Sequence, residues 1–140
     1  MDNARIKARQ VKLAVFDVDG VMTDGGLYFT SEGDEIKRFN VKDGIGIKWL
    51  MSNGIKVAII TGRQSALVTR RAKDLGIDLL IQGREDKVVA LQELLVQLGI
   101  GAENVGYLGD DLPDLAAIQF SGFGATVADG VPLVKEHADW

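Results

Sequence analysis

Two carboxylates follow an apolar run near the start of the chain. Leu13–Phe16 contains only apolar residues; Asp17 follows it directly, with Asp19 and Gly20 close behind. Two anions this close repel each other, and each favours water or a cation. The pattern is typical of a site for a hard cation, to which a phosphate can bind. A turn whose aspartates accept hydrogen bonds from their own backbone fits this stretch equally well.

Three more polar groups stand at the edges of apolar segments. Thr61-Gly62-Arg63 and Gly109-Asp110-Asp111 each follow an apolar run, and Lys87 begins a long amphipathic segment. Each has an ordinary explanation when taken alone. Thr61 fits a helix cap or turn, Lys87 fits a solvated surface, and the acids through Asp114 fit a helix start. If the fold brings all of these groups into one cleft, the separate explanations all become less convincing than a shared functional site.

The order of segments predicts such a fold. Short apolar, β-branched runs alternate with helical patterns, which is typical of a doubly wound, Rossmann-like parallel sheet with helices on both faces. Ligands of these α/β sheets bind beyond the carboxyl ends of the strands, where the strand order reverses. The predicted strands cover residues 11–16, 57–60, 79–81, 105–108 and 123–127. The predicted helices cover 45–53, 65–75, 85–99 and 131–137, and another begins near 112.

An arm is predicted at about 25–39, where two β-prone runs flank a turn as in a β-hairpin. It carries the aromatic residues Tyr28, Phe29 and Phe39. These side chains either fold onto the same domain or pack against another subunit.

The segments on either side of these elements are less regular. Residues 1–10 are expected to form a short helix or to stay loose, and 40–44 to form a polar loop. In the helix after that loop, Trp49 and Leu50 are expected to face inward.

The bulk composition excludes several functional classes. The chain has 140 residues, so we expect a single domain over 1–140. Its net charge of −4 gives no sign of nucleic-acid binding. It has no cysteine, which excludes disulfides, a thiolate nucleophile and cysteine-ligated zinc. With His137 as its one histidine, we expect no histidine-based triad and no histidine-rich metal site. Neither a membrane-length apolar run nor a secretion signal is present, so the cytoplasm is the expected compartment.

Phosphoryl transfer is the chemistry that fits the acidic groups. Asp17 is predicted to be a nucleophile that forms an aspartyl-phosphate. Asp19 is predicted to protonate the leaving alkoxide and then to activate water. A carboxylate approaches an anionic phosphate only with a bridging hard cation, and Mg²⁺ suits this role. Asp110 would complete its shell, with Asp111 as an outer ligand or orienting group.

The remaining polar groups suit the phosphoryl oxygens. Thr61, through its hydroxyl and backbone N–H, and Lys87, as a point charge, would stabilise those oxygens. Arg63 would hold a second anionic group of the substrate in bidentate fashion.

Together the motifs resemble those of the haloacid dehalogenase superfamily of phosphohydrolases. Asp-x-Asp-Gly-Val, Thr-Gly-Arg, an isolated lysine and Gly-Asp-Asp-x-x-Asp occur here in that family's order. The resemblance implies that Asp17 is the nucleophile, that Asp19 is the acid/base, and that Mg²⁺ binds both of them and Asp110. Asp19 would contribute its backbone carbonyl. The resemblance also implies two lesser groups, namely phosphate-binding residues at Thr61, Gly62 and Lys87, and outer-shell acids at Asp111 and Asp114.

A narrower group, the 3-deoxy-D-manno-octulosonate 8-phosphate phosphatases, has a similar first motif, arm and Asn-Val-Lys-Asp-Gly segment. These enzymes act in lipopolysaccharide biosynthesis, lack a cap domain and form homotetramers through their arms. The hairpin and helix between Asp17 and Thr61 leave no room for a cap here. The resemblance implies that substrate-binding residues lie at Asn40, Lys42, Asp43, Gly44, Arg63 and Arg71, the two arginines within the chain or across a subunit boundary.

The match has one departure, because these phosphatases continue beyond their last helix with a strand and a glycine-rich tail, whereas this sequence stops at Trp140.

Three alternative functions remain. The same core would serve a phosphatase of a nine-carbon ketoacid 9-phosphate of the sialic-acid type. A phospho-receiver module also gathers acids, threonine and lysine, but it places its acid pair on the first strand and its acceptor later. A non-catalytic assembly module would not need Asp17, Asp19, Lys87 and Asp110 intact.

Overall fold

A five-stranded parallel sheet forms the centre of the fold in a computed structural model, which describes residues 2–140. The strands within the described residues are β1 Leu13–Phe16, β2 Tyr28–Phe29, β3 Glu35–Ile36, β4 Lys56–Ile60, β5 Leu79–Ile81, β6 Val105–Leu108 and β7 Phe123–Ala125. The sheet order is β5-β4-β1-β6-β7, and β2 pairs with β3 as a separate antiparallel ribbon. The chain builds outward from β1 in both directions, so the strand order reverses beside β1. The predicted doubly wound α/β fold is confirmed.

Helices cover both faces of the sheet. They are α1 Asn3–Ala8, α2 Val41–Ser52, α3 Ala66–Leu75, α4 Lys87–Leu98, α5 Leu115–Phe120 and α6 Pro132–His137, with 3₁₀ turns at Ala102–Asn104 and Leu112–Asp114. Side chains alternate along a strand, so β4 feeds both cores. Val57 and Ile59 pack with α2 and α3, whereas Ala58 and Ile60 pack with α4, α5 and α6. Strands buried on both faces need the continuous apolar runs that the sequence contains.

Most predicted elements are confirmed, with ends that differ by a few residues. The predicted polar loop at 40–44 is wrong, because α2 already begins at Val41. The side chain of Asn40 accepts a hydrogen bond from the backbone N–H of Lys42 at 2.9 Å, which caps the helix. The short N-terminal helix is present as α1, and Met1 lies outside the described residues.

The expected inward position of Trp49 is also wrong, since this residue is 69% exposed. Ile47 is buried, and Leu50 and Met51 pack against the same core. These three positions lie three and four apart and share one helix face, whereas Trp49 points away from it. Leu50 faces inward as predicted.

The arm is a short ribbon that leaves the sheet between β1 and α2. An isolated antiparallel bridge between Thr23 and Phe39 closes its base. Leu27, Phe29 and Ile36 are all more than half exposed, so the ribbon covers little of its own chain.

Among residues 2–140, no helix has both the length and the apolar content to cross a bilayer.

Candidate active site

One cleft lies beyond the carboxyl ends of the central strands. Its volume is about 420 Å³, and its lining includes Asp17, Asp19, Thr61, Gly62, Arg63, Glu85, Lys87, Asp110, Asp111 and Asp114. Asp17 and Asp19 follow β1, Thr61 follows β4, and Asp110 follows β6. Because these three strands are adjacent and parallel, their ends deliver all four side chains to one edge. Lys87 enters from the first turn of α4.

A buried ionic network forms the floor of the cleft. Lys87 Nζ donates to Asp17 Oδ1 at 2.9 Å and to Asp114 Oδ1 at 2.8 Å. The Tyr107 hydroxyl also donates to Asp114 Oδ1, at 2.7 Å. The exposed fractions of Asp17, Lys87 and Asp114 are 6%, 5% and 0%. Charges this deeply buried persist only when paired and hydrogen-bonded, so Lys87 compensates two carboxylates at once.

Burial shifts the proton affinities in this network. Burial raises the pKa of Asp17 to about 7, the nearby charge of Asp114 raises it as well, and Lys87 opposes both effects. Burial would lower the pKa of Lys87, but the charges of Asp17 and Asp114 prevail and raise it. Burial and Asp114 together raise the pKa of Tyr107, so its hydroxyl stays a donor. Because Lys87 is shared with Asp114, the negative charge of Asp17 stays costly in this site without a further cation.

Asp110 approaches Asp17 closely enough for one ion to bridge them. Carboxylate oxygens of Asp17, Asp110 and Asp114 all lie within 4.8 Å of one another. Burial raises the pKa of Asp110, and the charges of Asp114 and Asp111 add to the rise. Gly20 makes the approach feasible: its φ is +88°, and a Cβ there would lie 1.9 Å from Asp110 Oδ2. Crowded, partly buried carboxylate oxygens are the ligand set that Mg²⁺ prefers.

Asp114 and Asp111 are occupied by contacts within the chain. Oδ2 of Asp114 accepts hydrogen bonds from the backbone N–H groups of Asp110 and Asp111, at 3.1 and 3.3 Å. Both oxygens of Asp114 are therefore bound to protein donors, so this residue orients Lys87 and the loop carrying Asp110. The Asp111 side chain accepts from the backbone N–H of Leu112 at 2.7 Å, as a helix cap does.

Thr61 can offer less to a phosphate than the sequence suggested. Its backbone N–H donates to the carbonyl of Ile81 at 2.9 Å, because the Thr61 backbone continues the pairing of β4 with β5. The expectation that this N–H would bind phosphoryl oxygens is therefore wrong. The Thr61 side chain and the neighbouring Gly62 both line the cleft, which leaves the hydroxyl and the Gly62 backbone for that role.

The side chain of Asp19 lies between two cations. Lys37 Nζ, from the arm, donates to Asp19 Oδ1 at 2.6 Å, and Arg63 Nη1 lies 3.7 Å from Asp19 Oδ2. Arg63 Nη2 also donates to Glu35 at 2.9 Å. Arg63 was expected to hold an anionic substrate group, and in this structure its partner is a carboxylate of the arm.

The other predicted substrate-binding residues lie outside the cleft. Among residues 2–140, those that line it do not include Asn40, Lys42, Asp43, Gly44 or Arg71. Lys42 and Asp43 line a second cavity of about 360 Å³, beside α2. Arg71 Nη2 donates to the carbonyl of Asn40 at 3.2 Å, and its guanidinium lies 5.7 Å from the centre of the Phe39 ring. Within one chain, Arg71 therefore braces the start of α2.

Sequence reasoning missed three polar residues of the site. Glu35 and Lys37 lie two positions apart, which is the spacing that puts two strand residues on one face. This spacing was the available sign that the two side chains point to the same place. Tyr107 is the only polar side chain in β6, and a polar tip inside a buried strand requires a partner.

Comparison with known proteins identifies the family. The 3-deoxy-D-manno-octulosonate 8-phosphate phosphatase KdsC of Escherichia coli K12 is 46% identical over 134 residues, covering 96% of this chain and 71% of the relative. The chain belongs to the 3-deoxy-D-manno-octulosonate 8-phosphate phosphatase family. A family model described as haloacid dehalogenase-like hydrolase also matches residues 79–140, the region that contains Lys87 and Asp110.

Solved structures support the same family assignment. A Moraxella catarrhalis 3-deoxy-D-manno-octulosonate 8-phosphate phosphatase, in complex with magnesium ion, phosphate ion and KDO, matches with a TM-score of 0.97 and 47% identity, covering 99% of this chain and 80% of that one. A probable YrbI family phosphatase from Pseudomonas syringae matches with a TM-score of 0.95 and 56% identity, covering 97% and 77%.

Proposed function

We propose that the chain is a Mg²⁺-dependent phosphomonoesterase that hydrolyses 3-deoxy-D-manno-octulosonate 8-phosphate to the free sugar acid and phosphate, as a step of lipopolysaccharide biosynthesis. The observation that carries the proposal is the position of Asp17. Its carboxylate lies at the reversal point of the sheet, within 4.8 Å of a carboxylate oxygen of Asp110, and Lys87 holds it at 2.9 Å. The assignment of the substrate rests on the relatives, whose names state this activity.

Asp17 and Asp110 would hold the magnesium ion, together with the backbone carbonyl of Asp19. The ion supplies positive charge that lets a carboxylate meet an anionic phosphate. The lysine bond to Oδ1 of Asp17 orients that carboxylate and leaves Oδ2 for attack. Lys87, the Thr61 hydroxyl and the Gly62 backbone N–H would donate hydrogen bonds to the phosphoryl oxygens, and all three residues line the cleft.

The reaction has two steps. In the first, an Asp17 oxygen forms a bond to phosphorus while the phosphorus–oxygen bond to the sugar breaks. The sugar oxygen leaves with that electron pair and takes a proton from the Asp19 carboxyl group. In the second step, the Asp19 carboxylate takes a proton from water as the water oxygen attacks phosphorus. The bond between the Asp17 oxygen and phosphorus breaks, phosphate leaves, and Asp17 and Asp19 return to their starting forms.

We also propose a homotetramer joined through the arm, within a single domain spanning 1–140. Leu27, Phe29 and Ile36 expose 66%, 60% and 53% of their surface, which is costly unless another surface covers them. Substrate contacts from Asn40, Lys42, Asp43, Gly44 and Arg71 would then come from a neighbouring subunit. The cytoplasm remains the proposed compartment, because a phosphorylated sugar acid carries several charges and does not cross a bilayer.

The test compares two substrates side by side. Phosphate release is measured from 3-deoxy-D-manno-octulosonate 8-phosphate and from a nine-carbon ketoacid 9-phosphate, each with MgCl₂ and with EDTA. We expect magnesium-dependent turnover with the higher kcat/KM on the eight-carbon substrate. Asp17→Asn should abolish it with the fold retained, and the exposed Asp78→Asn should not. Equal or higher kcat/KM on the nine-carbon substrate would reassign the substrate, and an active Asp17→Asn would remove the mechanism.

A further inference from the structure

Lys37 is a buried lysine on an exposed arm. Its side chain is only 3% exposed, whereas the preceding residue, Ile36, is 53% exposed. Side chains alternate along an extended strand, so Glu35 and Lys37 face Arg63 and Asp19 while Ile36 and Arg38 face away. A lysine loses water and rotamer freedom when it is buried, so strong partners must hold it there.

Those partners converge on Asp19. Lys37 Nζ donates to Asp19 Oδ1 at 2.6 Å and lies 3.2 Å from Glu35 Oε1. Glu35 in turn accepts from Arg63 at 2.9 Å. Arg63 is 3.7 Å from Asp19 Oδ2, which is beyond hydrogen-bonding distance. Lys37 is therefore the direct hydrogen-bond donor to this carboxyl group, and it occupies only one of the two oxygens.

We propose that Lys37 is a positioning residue that fixes the Asp19 carboxyl group for proton transfer to the leaving oxygen. The proposal rests on the proposed function, since it concerns the proton that Asp19 gives in the first step. With Oδ1 bound to Lys37, Oδ2 is the oxygen left to face the leaving group. The side chain of Asp19 is 30% exposed and would otherwise rotate and bond to water. Lys37 acts through Asp19 and does not contact the phosphate.

The leaving group provides the decisive readout. A sugar alkoxide needs a proton as its bond to phosphorus breaks, whereas p-nitrophenolate leaves without one. We expect Lys37→Met to lower kcat/KM for the sugar-acid phosphate at least about 10-fold, part of the 10²- to 10⁴-fold supplied by a positioned acid. The kcat/KM for p-nitrophenyl phosphate should fall much less. A purely structural role would lower both values equally, and such a result would overturn the proposal.

Two control variants complete the design. Lys73→Met removes the same charge from the last turn of α3, where the residue is exposed and lies outside both the arm and the cleft, and should leave both values unchanged. Lys37→Arg keeps a charged donor and should restore most of the lost kcat/KM on the sugar-acid phosphate. If Lys37→Met does not fold, Lys37→Gln is measured in its place, with the same expected difference between the two substrates.

The outcomes separate this proposal from the proposed function. No hydrolysis of sugar-acid phosphates by the unaltered chain, or an active Asp17→Asn variant, contradicts the proposed function and removes the basis of the Lys37 role. If the unaltered chain is active and Asp17→Asn is not, then unchanged kinetics of Lys37→Met, or a rise in KM alone, contradict only the role of Lys37.

Discussion

Removing the ammonium group of Lys87 should lower the free energy of unfolding, because it leaves buried negative charge at the floor of the cleft uncompensated. Lys87→Met keeps the apolar stem of the side chain but leaves two carboxylates within 4.8 Å of each other, Asp17 at 6% exposure and Asp114 at 0%. Asp114 retains the Tyr107 hydroxyl and two backbone N–H donors, so most of the cost should fall on Asp17. Removing one partner of a buried ion pair costs about 3–5 kcal/mol.

The effect should depend on pH and on magnesium. Lysine opposes the rise in the pKa of Asp17, so its removal lets that pKa rise above about 7. At pH 5 the carboxyl group is protonated with or without the lysine, so the loss should be small, and the loss should grow as the pH rises above about 7. Magnesium supplies a replacement cation and should recover part of the loss at pH 8.

Thermal and urea unfolding at pH 5 and pH 8, with EDTA or MgCl₂, measure these differences. At pH 8 without magnesium, we expect Tm to fall by about 10–20 °C. The exposed Lys73→Met is the matched control and should change the free energy of unfolding by less than about 0.5 kcal/mol. A Lys87→Met loss below about 1 kcal/mol at pH 8, or an equal loss at both pH values, would refute the reasoning.

The remaining predictions concern the metal, the pH response and the arm. Asp110→Asn should lose magnesium-activated turnover about 10²-fold or more, and isothermal titration should detect weakened Mg²⁺ binding; unchanged binding would exclude Asp110 as a ligand. The folded-state pKa of Asp17 is about 7, against an ordinary value of 3.8, so its ionisation destabilises the metal-free fold as pH rises from about 4 through 7. Asp17→Asn should therefore gain Tm relative to the unaltered chain in EDTA at pH 8 but not at pH 4; a gain independent of pH would contradict this. Gly20→Ala should lower turnover and stability together, because its Cβ would overlap Asp110 Oδ2. Phe29→Asp should convert the proposed tetramer to smaller species in light scattering, and an unchanged mass would contradict the proposal that the arm forms the interface.

Much of the site could be predicted from local pattern. Apolar runs locate the strands, and in a parallel sheet the residues that follow Phe16, Ile60 and Leu108 must share one edge. This placed Asp17, Thr61 and Asp110 together without any knowledge of side-chain contacts.

The errors arose where a long-range contact determined the outcome. Gly44 suggested a loop, but a Cβ at this position would lie 3.0 Å from the Arg71 side chain, so glycine suits a closely packed helix there. The N–H of Thr61 looked available until pairing with the β5 carbonyl of Ile81 used it. Lys37 contacts Asp19 from 18 residues further along the chain, and apolar periodicity contains no information about that contact.

The central claim is that Asp17 attacks phosphorus. The most direct measurement quenches a single turnover of 3-deoxy-D-manno-octulosonate 8-phosphate with acid, reduces the protein with borohydride and locates the product by peptide mass spectrometry. Reduction converts an aspartyl-phosphate into homoserine, and we predict homoserine at position 17, dependent on magnesium and absent in Asp17→Asn. Homoserine at the position of another aspartate would contradict the account. So would the absence of homoserine from an enzyme that turns over rapidly, provided that a known aspartyl-phosphate is trapped in a parallel control.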